Sequence, residues 1–257
     1  MEIKNLSFEY KKINYCPRKI FENLNLKTKE NICCFIGPNG CGKTTLMDII
    51  TGNLKDYKGT IKISENKIGY VKDTPEFITN TIYEELQNSM VEHKYNGSIK
   101  RINDVLLMVN LQKDINAKIS SLTYCEKKLL SLACELIYNP NLLIIDSLTE
   151  GLDDSSKKNI IKILLILKKR YNKKIIIASN DIEFVHKIAD RVFVIYDGKI
   201  VLEGSKYDVF KSDLYKYKLD IPNIIKFEQL VLEKKNIRLG YRDEINDLIK
   251  DIYRNSY

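Results

Sequence analysis

Between Gly37 and Thr45 the chain reads GPNGCGKTT, which puts Gly37, Gly42, Lys43 and Thr44 on the spacing G-x-x-x-x-G-K-[ST]. The chemistry of that pattern is anion binding. Glycines let a backbone approach phosphates closely, and amides at a helix N-terminus point at negative charge. Gly37, Pro38, Asn39, Gly40, Cys41, Gly42 and Thr45 would line the cradle. Lys43 would reach the β- and γ-phosphates, and the Thr44 hydroxyl would bind Mg²⁺. Cys41 stands at a helix N-terminus, where a thiol pKa can fall, although a neutral filler is the plainer reading.

The flanking elements suit that chemistry. Residues 31–36 (NICCFI) form an apolar run fit for a buried strand, and residues 45–50 (TLMDII) continue as a helix. Strands are also expected at 2–10, 19–27, 58–64 and 67–71, and the chain then turns helical from 74 to about 139. Residues 99–109 are strongly amphipathic, and the helix after Cys125 should stop near Asn139-Pro140, since the residue before proline disfavours helical geometry. Strands return at 141–145, 174–178 and 191–196, with an apolar helix at 157–169 between the first two. Asp197-Gly198 signals a hairpin into 199–202. Strands alternating with helices around such a loop predict an α/β fold with a mainly parallel sheet covered on both faces. Two short helices, at 224–235 and 242–253, read as a separate appendage.

Composition narrows the class. The chain has 257 residues, 44% hydrophobic and 30% charged, enough for one large domain and an appendage. No apolar run is long enough to span a bilayer, and the N-terminus MEIKNLSFEY is charged and strand-like, unlike a secretory leader. The six cysteines (16, 33, 34, 41, 125 and 134) have no zinc spacing and read as buried thiols of a cytoplasmic protein. The net charge of +8 is spread out, with clusters at 168–170 and 173–174 that read as solvated faces. No nucleic-acid motif accompanies it, so nucleic acid is not an expected partner.

The order of motifs resembles the ATP-binding subunits of ABC transporters over about the first 215 residues. In residues 142–146 (LLIID), Asp146 is similar to that family's Walker B carboxylate, which holds Mg²⁺. Residues 149–153 (TEGLD), ending at Asp153, resemble the D-loop that crosses the dimer interface. Thr123, Tyr124, Cys125 and Glu126 occupy the place of the S-G-G-Q signature, which contacts the ATP of a partner subunit. Tyr10 falls where the family stacks an aromatic on adenine, with a packed core tyrosine as the alternative. Residues 74–86 and the tail from Tyr217 are similar to the energy-coupling-factor (ECF) branch, importers of vitamins or transition-metal ions. The resemblance implies a P-loop NTPase core with an antiparallel β subdomain and a helical subdomain (about 74–139), together forming residues 1–215. A small C-terminal helical domain would follow at 216–257. It also implies ATP and Mg²⁺ as cofactors, a second ATPase subunit and a transmembrane scaffold as partners, and a peripheral place on the inner face of the cell membrane.

Four catalytic landmarks depart from that family. Asp73 stands for the Q-loop glutamine and could still ligate a metal. Ser147 stands for the catalytic glutamate and Asn180 for the switch histidine; general-base action is typically worth about 10²–10⁴ in rate, and neither side chain supplies a base. In the signature, Tyr124 and Cys125 put Cβ atoms where glycine amides approach phosphate, with any positive φ costly, and Glu126 adds negative charge. The expectation is ATP binding with hydrolysis impaired in the chain's own site. A heterodimer with a normal ATPase would then be favoured over a homodimer. A regulatory ATP-binding module and a fully active transport ATPase remain open as alternatives.

Overall fold

The computed structural model describes residues 1–10, 18–237, 239–240 and 245–255. Nine strands and nine α-helices fall among them. The antiparallel strands β1 (Glu2–Tyr10), β2 (Arg18–Lys27) and β4 (Lys58–Lys62) make a three-stranded sheet in the order β2-β1-β4. In β1, Ile3, Leu6 and Phe8 turn inward; a register shift between Ile3 and Leu6 interrupts the alternation, which resumes from Leu6 to Phe8.

The main sheet has the order β5-β6-β7-β3-β8-β9. β5 (Ile68–Val71), β6 (Leu142–Asp146), β7 (Lys174–Ala178), β3 (Ile32–Ile36) and β8 (Arg191–Tyr196) run parallel, and β9 (Lys199–Ser205) pairs antiparallel to β8 across the Asp197-Gly198 turn. Each inner strand buries both faces. In β3, Ile32, Cys34 and Ile36 enter the larger core, while Cys33 and Phe35 enter the smaller one with α1 (Lys43–Thr51) and the antiparallel sheet. That two-sided burial explains why β3, β6 and β7 read as continuous apolar runs.

The larger core is closed by α2 (Ile82–Glu92), α3 (Ile99–Met108), α4 (Tyr124–Leu136), α5 (Asp154–Tyr171), α6 (Ile182–Ile188) and α7 (Lys206–Lys211). α4 ends three residues before Asn139, and Arg101 of α3 caps its last carbonyls, donating to Leu136 O at 2.6 Å and Ile137 O at 2.9 Å. α8 (Asn223–Lys235) and α9 (Ile245–Asn255) follow. Leu219, Ile221, Ile224, Ile225 and Leu248 join the same core as Val209 and Phe210. α6 and α7, both short, are not marked by the periodicity of the chain. Arg242, expected to open the last helix, and Cys16 lie outside the described residues.

Candidate functional site

The parallel strands deliver their C-terminal ends to one cleft, the usual binding crevice of an open α/β sheet. Lys43 and Thr44 follow β3, Asp73 follows β5, Ser147 and Glu150 follow β6, and Asn180 follows β7. These residues line a cleft of about 320 Å³ together with Tyr10, Arg18, Ile20, Asn39, Gly40, Gly42 and Thr45.

The loop is built as the spacing predicts. Gly42 has φ 105°, and a Cβ there would lie 2.7 Å from Ile20 and 2.8 Å from the Phe21 ring, so only glycine fits. Lys43 is buried and donates to Gly37 O at 2.7 Å and Pro38 O at 3.1 Å, which holds its ammonium inside the loop. Cys41 fills the loop interior near that ammonium, 3.7 Å away. Burial pushes its thiol above the ordinary range despite Lys43, so the lowered thiol pKa considered from sequence does not occur. Cys33 and Cys34 are buried, whereas Cys41, Cys125 and Cys134 are only partly so, which corrects the expectation of uniformly buried thiols.

Asp146 ends β6 buried, near the Thr44 hydroxyl. Burial raises its carboxyl pKa above the usual carboxylate value, with the Thr44 and Ser147 hydroxyls opposing that rise. A buried anion beside a hydroxyl fits Mg²⁺, which is commonly held by one or two protein ligands plus phosphate and water. No cluster of three or more His, Cys, Asp or Glu side chains competes for a metal among the described residues.

The departures from the family pattern have definite geometries. Ser147 takes φ 51°, an uncommon conformation for a residue with a Cβ, and its hydroxyl donates to Asp146 Oδ1 at 3.3 Å. Asn180 Nδ2 donates to Asn39 Oδ1 at 2.5 Å and lies 3.4 Å from Glu150 Oε1, while its own Oδ1 is buried without a partner among the described residues. Asp73 lines the cleft and is ion-paired through one carboxylate oxygen. Lys128, fully buried in α4, donates to the Asp73 carboxylate at 3.2 Å, to Ser147 O at 3.2 Å and to Asp73 O. A half-exposed aspartate thereby neutralises a buried lysine.

Thr123 and Glu126 form a reciprocal capping box at the start of α4. Glu126 also pairs with Lys113 at 3.1 Å, so its charge is compensated, and its pKa is lowered chiefly by the Thr123 backbone N–H. Tyr124 and Cys125 are the first helical residues and neither has positive φ, so the strain expected there is absent. Tyr124 is exposed and stands against the turn after β6, since a Cβ on Gly151 would be 3.3 Å from its ring. Asp153 caps α5 by accepting from Ser155 N at 3.2 Å. Tyr10 sits half-exposed at the rim, its hydroxyl 3.1 Å from Thr45 Oγ1 and its ring edge-on to Phe8, so it is not a buried core tyrosine.

Sequence reasoning missed Arg18, Glu150 and Lys128. Lys128 carried a signal, because it shares the buried stripe of α4 with Leu132. A separate groove of about 270 Å³ runs between the loop after β5, α2 and α4, lined by Lys72, Glu76, Phe77, Glu85, Glu92 and His93 among others.

With this geometry in place, the family model described as ABC transporter matches residues 21–150, half of the chain and most of the cleft. The chain belongs to the ABC transporter ATP-binding proteins. It is 31% identical over 219 residues to a zinc import ATP-binding protein, ZnuC, of Ehrlichia canis, covering 84% of this chain and 87% of that one. It is 28% identical to the energy-coupling factor transporter ATP-binding protein EcfA of Malacoplasma penetrans, covering 98% and 92%. Among solved structures, cbiO1 of Clostridium perfringens, part of the ABC transporter complex cbiONQ, superposes with a TM-score of 0.71 at 23% identity, covering 91% and 96%. No helix among the described residues of this ABC ATP-binding protein is long and apolar enough to cross a membrane.

Proposed function

We propose that this ABC ATP-binding protein serves an ECF-type importer of a vitamin or transition-metal ion, and that Mg-ATP at a dimer interface acts in it mainly as a clamp. Residues 1–215 are the nucleotide-binding domain and 216–257 the small C-terminal domain on this reading. The observation that carries it is the division of the cleft. The binding half, Lys43 in its loop and Thr44 beside buried Asp146, is complete. The hydrolytic half is not, since the Ser147 hydroxyl is turned to Asp146 and Asn180 offers a neutral amide. A neutral amide donates a hydrogen bond to phosphate but takes no proton.

Tyr10 stacks on the adenine, Thr44 and Asp146 hold Mg²⁺, and Thr123 to Glu126 address the ATP of a partner subunit. Asp153 lies at that interface. Because signature and base positions serve opposite sites of a head-to-tail pair, a heterodimer with a second, intact ATPase is favoured. On this reading residues 74–116 form a groove that receives helices of the transmembrane scaffold, with the chain peripheral on the inner face of the cell membrane. Preferential binding of ATP to the closed pair supplies the coupling energy. The likeness to proteins named for zinc import and for energy coupling supports this substrate range.

The test compares Mg-ATP turnover of the whole chain with Ser147→Glu plus Asn180→His, using Lys43→Ala as blank, and asks which membrane subunit co-purifies. Native turnover at least about ten-fold below the restored variant, with ATP binding intact, is expected. Turnover equal to the restored variant would reclassify the chain as an ordinary transport ATPase. Absence of any membrane partner would favour a regulatory module.

A further inference from the structure

We propose that Glu150 is the water-orienting carboxylate of this chain's own nucleotide cleft and carries the slow turnover that remains there; the inference rests on reading the cleft as an ATP site. Asp73 and Glu150 line the cleft and Asp146 is buried next to its Ser147, and two of these three carboxylates are engaged. Asp146 is buried and accepts from the Ser147 hydroxyl, near that of Thr44. Asp73 neutralises the fully buried Lys128. Glu150 is neither buried nor ion-paired among the described residues, and it lines the cleft beside Lys43, Thr44, Ser147 and Asn180.

The turn after β6 gives it the reach. Glu150 N donates to Ser147 O at 3.3 Å, so the chain folds back and starts the Glu150 side chain next to the position that lacks a carboxylate. Its Oε1 then lies 3.4 Å from Asn180 Nδ2, the same nitrogen that donates to Asn39 of the phosphate loop at 2.5 Å. One amide therefore joins the carboxylate to the loop. The amide steadies Glu150 by hydrogen bonding without neutralising it, because asparagine carries no charge. A carboxylate so placed accepts a hydrogen bond from water and takes its proton. The water oxygen bonds to the γ-phosphorus as the bond from that phosphorus to the β–γ bridging oxygen breaks. The bridging electron pair leaves with ADP, and the proton passes from Glu150 to solvent as inorganic phosphate departs.

The experiment measures steady-state Mg-ATP turnover and Mg-ATP affinity for the whole chain and for Glu150→Gln, Ser147→Glu and the double variant, with Lys43→Ala as blank. Glutamine keeps the shape and the contact to Asn180 but accepts no proton at neutral pH. Expected is a fall in Glu150→Gln of at least about ten-fold toward the blank, in keeping with loss of a general base, with the Kd for Mg-ATP unchanged within about two-fold. Ser147→Glu should restore turnover to the Glu150→Gln background, because it returns a carboxylate to the same cleft; a merely structural role for Glu150 would not be rescued this way. Native turnover in Glu150→Gln, loss of ATP binding in that variant, or failure of the rescue would each overturn the assignment. A native chain that binds Mg-ATP yet matches the blank also overturns it while leaving the clamp reading intact. A native chain that binds no Mg-ATP removes the ATP-site reading itself.

Discussion

At the cleft, the identity of a residue matters less than what it is paired with. Asp73, a candidate metal ligand by its type, is paired with Lys128. The pair is asymmetric, with the lysine fully buried and the aspartate half-exposed. Removing the aspartate leaves a buried ammonium with only carbonyl acceptors, whereas removing the lysine leaves a carboxylate that water can reach. Asp73→Asn should therefore lower unfolding free energy by about 1–3 kcal/mol, the range for losing one partner of a buried hydrogen bond. Lys128→Met, similar in volume and apolar, should cost less, and Asp73→Asn combined with Lys128→Met should recover most of the loss. Denaturant unfolding of the three variants checks the order, and an equal loss in both single variants would contradict the asymmetry.

Glu135 gives the pH dependence at this scale. It accepts from Tyr70 N at 2.8 Å and from the Tyr138 hydroxyl, and burial nevertheless raises its pKa above the ordinary value. The folded protein thus takes up this proton at higher pH than the unfolded chain. By linkage, stability from this group rises as pH falls through the raised value and levels off below the unfolded one. Measured against Glu135→Gln, the native protein should gain relative stability on acidification from neutral pH. A difference independent of pH would show that burial does not govern this carboxyl.

Among elements, α4 carries the most function in the least sequence. Its first turn is the signature region, and it is held by the reciprocal Thr123–Glu126 cap rather than by glycine conformations. Replacing an N-cap threonine by alanine typically costs about 1 kcal/mol. Thr123→Ala should show that loss by thermal or denaturant unfolding, together with weaker ATP-dependent association of subunits. If stability falls and association is unchanged, the first turn of α4 does not address a partner's nucleotide. The elements themselves were largely legible in the chain. β3, β6 and β7 are short apolar runs bounded by polar residues, and the Asp197-Gly198 turn announces β8 and β9. The strain expected at Tyr124 and Cys125 was misjudged because the actual backbone there is ordinary helix, which φ-permissive glycine is not needed to form.

Across the whole molecule, the described C-terminal residues are not independent of the core. Leu219, Ile221, Ile224 and Ile225 bury against the elements that include Val209 and Phe210. Full burial of one such side chain is worth roughly 1.5–3 kcal/mol. Ending the chain after residue 215 should therefore lower Tm by more than about 5 °C, read by calorimetry or circular dichroism. An unchanged Tm would mean that residues 216–257 ride on the core without supporting it.

By itself, the sequence determined the strand–loop–helix unit around Lys43, the mainly parallel sheet and the position of Asp146 at a strand end. Those features depend on local spacing, on the period of burial and on the conformational freedom of glycine, all of which can be read along a chain. Tertiary structure alone decided that Lys128 engages Asp73 from 55 positions away, that Asn180 meets Asn39 across 141, and that Glu150 turns back to the cleft. Such pairings follow from which strand ends the sheet brings together. No local rule reports them, because the free energy of a buried charge or amide is set by the partners that packing supplies.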